Sequence, residues 1–356
     1  MKSVLFVLFL TLFASICSAQ SGRVRTEPTP TPTPVRGTVY MPTERLQTKP
    51  KPTPTPAPTD SDGDTIRVDA LLVPIPVFVT DRSGRSVTNL KVADLDLRID
   101  GKSEPIGELV RSDAPVSLAM IFDNSSSVTL ARDFEKEAAI RFFRRVLRLG
   151  RDQAALYSLA DVTRLEQPLT RDLGSITRAI EFFPPPKGAT ALLDGLIEVA
   201  QYMREAPGRR VVVLVSDGED TYSDLKTTLE DTIRALQLAD VQVFVVNTKA
   251  FENFKRTGVR GGNANIRALT AERRLGEITA QTGGEVFGPI DEREMDAAFA
   301  QISADLADQF TLYFYPDLDT ATPGQMRLIS VAVKGKPDLN VRSRKSFYVP
   351  KRSSRL

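Results

Sequence analysis

The sequence predicts an α/β protein: a doubly wound, mostly parallel sheet flanked by helices, with a small β-sandwich-like module formed by the segments on either side of it. Three observations lead there. Between residues 115 and 309, apolar strand-like runs alternate with helical patterns, as repeated βα units with helices on both faces of a sheet require. The run LAMIF at 118–122 does not alternate apolar with polar, which suits a strand covered on both faces. The segments 66–112 and 310–350 instead show period two broken by turn residues.

Taken in order, the chain begins with a charge at Lys2, an apolar run over 4–16 and the small residues Ser18 and Ala19. This pattern predicts a signal peptide cleaved after Ala19, hence export to the periplasm, cell envelope or medium. The run is shorter than the roughly 20 residues a membrane-crossing helix needs, so no stable span is expected after cleavage. A membrane anchor is the competing reading, which that length argues against, and lipidation at Cys17 is a further one, against which Ile16 is a poor small-residue neighbour. Residues 20–64 hold ten prolines between Ser21 and Asp60. Proline has no N–H and a fixed φ, so this stretch reads as an extended spacer, or as plain disorder.

Within the β-rich flank 65–114, Leu95, Leu97 and Ile99 alternate before an Asp100-Gly101 turn, and Pro74 and Pro76 place the first strand at an edge or a bulge. Such a short segment is small for an independent core. A partner is available at 310–350, where FTLYFYP, QMRLISVAVKG and LNVRSRKSFYVP read as three further strands. The simplest arrangement joins both flanks in one module with the α/β part inserted between them; two unrelated sheets are the alternative. A basic tail, 351–356, closes the chain.

The middle reads as strand, helix to Gly150, strand 154–160, an extended piece near 163–169, a helix stopped by Pro184-Pro185-Pro186, and a helix from about 190. The strand VVVLVS, a helix over DLKTTLEDTIRALQLA, the strand VQVFVVN, a helix ending at Gly283-Gly284, a short strand EVFG and a last helix complete the series. That makes roughly six strands and six or seven helices. IRFFRRVLRLGR at 140–151 is locally basic, but its spacing describes an amphipathic helix that packs Phe142, Phe143, Val146 and Leu147 and leaves its arginines in water. GVRGGNAN at 258–265 lacks the lysine of a phosphate-binding loop and reads as flexible.

Composition narrows the chemistry. Histidine is absent, and Cys17 is the only cysteine. Zinc sites built on histidine, Ser-His-Asp hydrolysis and Cys-His catalysis are excluded together. A net charge of +2 gives no general attraction to nucleic acid.

Three loops carry oxygen ligands. Asp123, Ser125 and Ser127 follow the first central strand, Thr190 opens a helix, and Asp217 follows VVVLVS. Each alone reads as a turn or a helix cap. If the first and fourth strands are neighbours, all three loops meet at the carboxyl edge of the sheet, where ligands of open α/β folds bind. Two carboxylates and three hydroxyls form an all-oxygen set suited to one hard cation, Mg²⁺ or Ca²⁺. Glu219 and Asp220 beside it are either solvated or hold waters around the site.

These residues carry a resemblance. The chain resembles von Willebrand factor type A domains with a metal-ion-dependent adhesion site, whose pattern is Asp-x-Ser-x-Ser after the first strand, a Thr in a later loop and an Asp after the fourth strand. Asp123, Ser125, Ser127, Thr190 and Asp217 match it, with Ser126 standing where many members have glycine. The flanks further resemble a group of secreted bacterial proteins common in acidobacteria. The resemblance implies an ion of Mg²⁺, Mn²⁺ or Ca²⁺ and a non-enzymatic role, binding another protein that presents Glu or Asp. Metal-assisted hydrolysis and a metal-independent part in an envelope assembly are the alternatives.

Overall fold

The structure, a computed structural model, describes residues 71–351 apart from 112, 131, 261–264 and 318–321. The expected signal peptide, the proline-rich spacer, most of the basic tail and the middle of the glycine-rich segment lie outside the described residues.

The first flank supplies β1 (Val73–Thr80), β2 (Leu95–Ile99), β3 (Lys102–Glu104) and β4 (Glu108–Arg111). Asp100 and Gly101 both adopt positive φ, 48° and 81°. Two such residues in succession make the tight turn whose twist matches a two-stranded ribbon, here β2 and β3.

The inserted part follows with β5 (Val116–Asp123), α1 (Arg132–Val146), β6 (Gln153–Leu159), β7 (Arg164–Thr170), α2 (Leu173–Glu181), α3 (Leu192–Met203) and β8 (Arg209–Ser216). It continues through α4 (Leu229–Leu238), β9 (Val241–Asn247), α5 (Lys249–Thr257), α6 (Ile266–Thr282), β10 (Val286–Phe287) and α7 (Glu292–Asp308). The sheet order is β10-β9-β8-β5-β6-β7, parallel throughout except for β7. β5 and β8 are central neighbours, in register from Val116 against Arg209 to Phe122 against Val215.

Side-chain alternation divides the core between the sheet's two faces. Leu118, Met120 and Phe122 of β5 join Val211, Val213 and Val215 of β8 against α1, α2, α5 and α7. Ala119, Ile121, Val212 and Leu214 face α3, α4 and α6. Both faces are dry, which is why these strands read as unbroken apolar runs. α5 was not expected as a helix. Its polar sequence KAFENFKRT buries Phe251 and Glu252 and ends at Gly258, in the left-handed conformation with φ 70°.

The second flank gives β11 (Phe310–Phe314), β12 (Met326–Val333), β13 (Asn340–Ser343) and β14 (Ser346–Tyr348). Two antiparallel sheets result, β13-β1-β11-β4 and β14-β12-β2-β3, each drawing strands from both flanks. One core, including Ile75, Leu97, Leu312 and Phe347, is shared by them.

Two expectations are corrected. LNVRSRKSFYVP is two strands in different sheets, because the chain turns the corner of the sandwich at Arg344-Lys345, where Arg344 is buried 3.6 Å from Asp240. β1 is an interior strand despite its prolines. N–H groups alternate sides along a strand, so Pro74 and Pro76 place both missing donors on one side. β13 pairs only with Val77–Thr80, leaving the proline half without a neighbour on that side.

The junction between the two parts is short and polar. Gln309 alone separates α7 from β11, and its side-chain amide exchanges 3.1 Å hydrogen bonds with that of Gln242 on β9. Arg342 of β13 reaches across to Glu285 and to Asp305 of α7, with the rings of Phe78 and Phe244 4.9 and 5.8 Å from its guanidinium. No helix among the described residues is long and apolar enough to cross a membrane.

Candidate functional site

All five residues singled out from the sequence lie at the carboxyl edge of β5 and β8. Asp123 ends β5 and is 1% exposed; Asp217 follows β8 and is 2% exposed. Ser125 and Thr190 are buried as well, and Ser127 is exposed.

Hydrogen bonds stitch the three loops together. Ser125 N donates to Asp123 Oδ1 (3.0 Å), and Ser216 Oγ donates to Asp123 Oδ2 (2.6 Å). The hydroxyls of Ser125 and Ser127 stand 2.9 Å apart. Ser126, in the position where glycine is common, donates to Gly188 O through both its N–H and its hydroxyl (3.3 and 3.2 Å). On the far side of the 187–190 loop, Thr190 O accepts from Thr221 N and Tyr222 N, both at 2.9 Å, while Thr190 N donates to Thr221 Oγ1 (3.0 Å). The Thr190 loop is thus bonded to the loops carrying both aspartates. Gly218 adopts φ 75°, and a Cβ there would fall 2.5 Å from Leu275 Cδ1, so the turn that presents Asp217 requires glycine.

Electrostatics set the character of this edge. Burial raises the pKa of Asp123, hydrogen bonds from Ser216 and Ser125 oppose the shift, and the charge of Asp217 adds to it. Lys249, first residue of α5, places its ammonium 3.4 Å from Asp217 Oδ2 and 2.7 Å from Glu219 Oε1. Glu219 is therefore paired, and Asp220 accepts from Leu192 N (3.2 Å) and Ser223 N (3.3 Å). Neither acid is simply solvated.

The donor set fits a hard cation. The hydroxyls of Ser125 and Ser127, already within hydrogen-bond distance of each other, lie close enough to serve one ion. Two buried carboxylates that repel each other gain most from such a charge. Among the described residues no three Cys, Asp or Glu side chains gather as a metal-binding cluster, so an ion here would depend on hydroxyls.

Residues 118–219 match the protein family described as von Willebrand factor type A domain. The chain carries a von Willebrand factor type A domain. The matched stretch contains Asp123, Ser125, Ser127, Thr190 and Asp217. Solved structures similar to the chain include a von Willebrand factor type A protein from Catenulispora acidiphila, at 11% identity over 81% of this chain and 76% of that one with a TM-score of 0.44. The PilB minor pilin from Streptococcus sanguinis aligns at 13% identity over 58% of this chain, with a TM-score of 0.43, and the match spans 64% of the pilin's length. The von Willebrand factor domain of the type V pili tip protein Mfa5 from Porphyromonas gingivalis aligns at 13% identity over 54% of this chain and 94% of that one, TM-score 0.41. A search of the curated proteins found no match.

Beneath this edge of the von Willebrand factor type A domain lies a buried polar cluster that the sequence reading missed. Arg132, on the inner face of α1, donates to Asp123 O and, at 3.0 Å, to Asn124 Oδ1. Its guanidinium lies 5.6 and 5.3 Å from the rings of Phe122 and Phe183 and 3.5 Å from Glu135. The signal was spacing: Arg132 and Glu135 precede Ala138, Ala139 and Phe142 on one helical face, all of them buried. Lys249 was missed along with its helix.

Burial pushes Glu135 up to about 8, against the opposing pull of Arg132. A carboxyl whose folded pKa is raised contributes stability that is complete below its unfolded value and is lost as pH rises through the folded one. Denaturant unfolding from pH 5 to 8.5 is expected to show wild-type stability falling by on the order of a few kcal/mol from this group, with a flatter profile for Glu135→Gln. Identical slopes would refute the assignment.

Proposed function

We propose that this is an exported protein whose von Willebrand factor type A domain docks a partner protein through one divalent cation held by Asp123, Ser125, Ser127, Thr190 and Asp217. A Glu or Asp side chain of the partner completes the coordination. The observation that carries this reading is the pair of hydroxyls 2.9 Å apart beside two buried carboxylates. An all-oxygen ligand set suits Mg²⁺, Mn²⁺ or Ca²⁺. Export rests on the signal-like residues 1–19.

The residues divide the work. Asp123 is fixed through Ser216 and Ser125, so its carboxylate needs no rearrangement to meet a cation. Ser125, Ser127 and Thr190 contribute neutral oxygens. An ion held by few charged ligands keeps part of its positive charge, which is the chemistry it supplies to an incoming carboxylate. Arg132 holds the end of β5 in place from below. Hydrolysis finds no spare general base here: histidine is absent, Glu219 is paired with Lys249, and Asp220 caps backbone N–H groups.

Calorimetric titration of Mg²⁺, Mn²⁺ and Ca²⁺ into wild type and Asp123→Ala tests the reading. One saturable site is expected in wild type for at least one of the three ions, and none in the variant. Equal binding by both forms, or by neither, would sink it.

A further inference from the structure

At the opposite, amino-terminal edge of the parallel sheet lies a cavity of about 460 Å³. That is within the roughly 300–1,000 Å³ range of small-molecule sites. Val116, which opens β5, and Leu306 of α7 give it an apolar floor. Four arginines line it from separate elements: Arg111 from β4, Arg145 from the last turn of α1, Arg148 just beyond, and Arg209 at the start of β8.

Two of these guanidiniums are committed elsewhere. Arg148 binds Asp152 at 2.8 Å and Asp113 at 2.9 Å, the two acids of the lining. Arg209 donates to Leu306 O at 2.9 Å, in the last turn of α7, where a cation also meets the negative end of the helix dipole. The other two are not neutralised in this way. Arg111 has a loose contact, 3.7 Å, with Asp308, and its side chain is 60% exposed. Arg145 makes no hydrogen bond or ion pair among the described residues. Helix dipoles and Asp113 with Asp152 thus account for Arg148 and Arg209, and leave Arg111 and Arg145 facing one cavity from different walls. Crowding of positive charge is visible at Arg209, which burial first and the charge of Arg148 second bring down to about 10.

We propose that this cavity binds a small oxyanion, a molecule bearing a phosphate or carboxylate group that is shared by Arg111 and Arg145. The planar guanidinium fork matches both oxyanions in pairs of hydrogen bonds. The apolar floor leaves room for a short aliphatic part. The site lies between the sandwich, through Arg111, and the von Willebrand factor type A domain, through Arg145, so an occupant would cross-link the two. It is independent of the cation site at the other edge.

The test uses the full chain in EDTA at constant ionic strength, with chloride as control, and titrates inorganic phosphate and succinate while following thermal unfolding and heat of binding. A saturable rise in Tm is expected for at least one anion, and the stronger response identifies the head group as phosphate or carboxylate. Arg145→Ala and Arg111→Ala, each exposed and outside the core, are expected to weaken binding about ten-fold, as loss of a charge-assisted pair should. No saturable response to either anion, or the same affinity in wild type and both variants, would overturn the proposal.

Discussion

Asp123→Asn is expected to unfold above wild type in EDTA and below it in excess Mg²⁺. Without a cation, wild type holds a carboxylate that burial and the neighbouring Asp217 both disfavour. Asparagine removes that charge while retaining an acceptor for Ser125 N and a polar group beside Ser216 Oγ. The metal-free protein should therefore gain stability. With cation present the order reverses, since a ligand at 100 times its Kd stabilises the state it binds by about 2.7 kcal/mol. In a domain of this size that corresponds to a Tm shift of roughly 5–11 °C, available to wild type alone. Thermal scans of both proteins with EDTA and with Mg²⁺ measure the crossing. If wild type is the more stable protein in EDTA too, Asp123 is a structural residue and the site is not poised for a cation.

The second large effect belongs to Arg342. Truncation to alanine leaves the Asp305 carboxylate, which is fully buried, with the Gln301 amide at 2.7 Å but no cation beside it, and removes a guanidinium packed near two aromatic rings. Removing one partner of a buried ion pair costs about 3–5 kcal/mol, more than the pair itself contributes relative to apolar residues. Arg342→Ala should show this loss in denaturant unfolding, and the double variant Arg342→Met with Asp305→Leu should recover most of it. The deficit also has a pH signature. Burial pushes the Asp305 carboxyl up to about 7 with Arg342 in place, and loss of the guanidinium raises it further, so the single variant takes up its proton at a higher pH than wild type and the penalty eases as pH falls; the deficit should be larger at pH 8 than at pH 6. A double variant no better than the single one would show that packing around Arg342, rather than the stranded charge, holds the junction.

Much of this was legible in the sequence because it depends on local pattern. The runs LAMIF and VVVLVS announce strands dry on both faces, and the polar residues that follow them mark the sheet's carboxyl edge. Asp123, Ser125, Ser127, Thr190 and Asp217 could be gathered because each sits where a strand stops or a helix starts. What escaped depends on distant partners. Arg132 and Glu135 look like surface charges until α1 turns them toward the sheet. KAFENFKRT looks too polar for a helix until Phe251 finds the core. Pro74 and Pro76 argued correctly for an open ladder side, but local chemistry does not say that β13 covers only the other half of β1.

The single residue between α7 and β11 makes the pair a load path. β1 and β11 run antiparallel with Val73 opposite Phe314 and Val77 opposite Phe310. A pull entering at the amino end of β1, resisted at the start of β11 by α7, draws the two strands past each other along their length. In that direction the ladder's hydrogen bonds are strained together instead of opening one at a time. A tether attached ahead of Leu71 and a partner held at Asp123 would thus meet the sandwich in shear, its mechanically resistant direction.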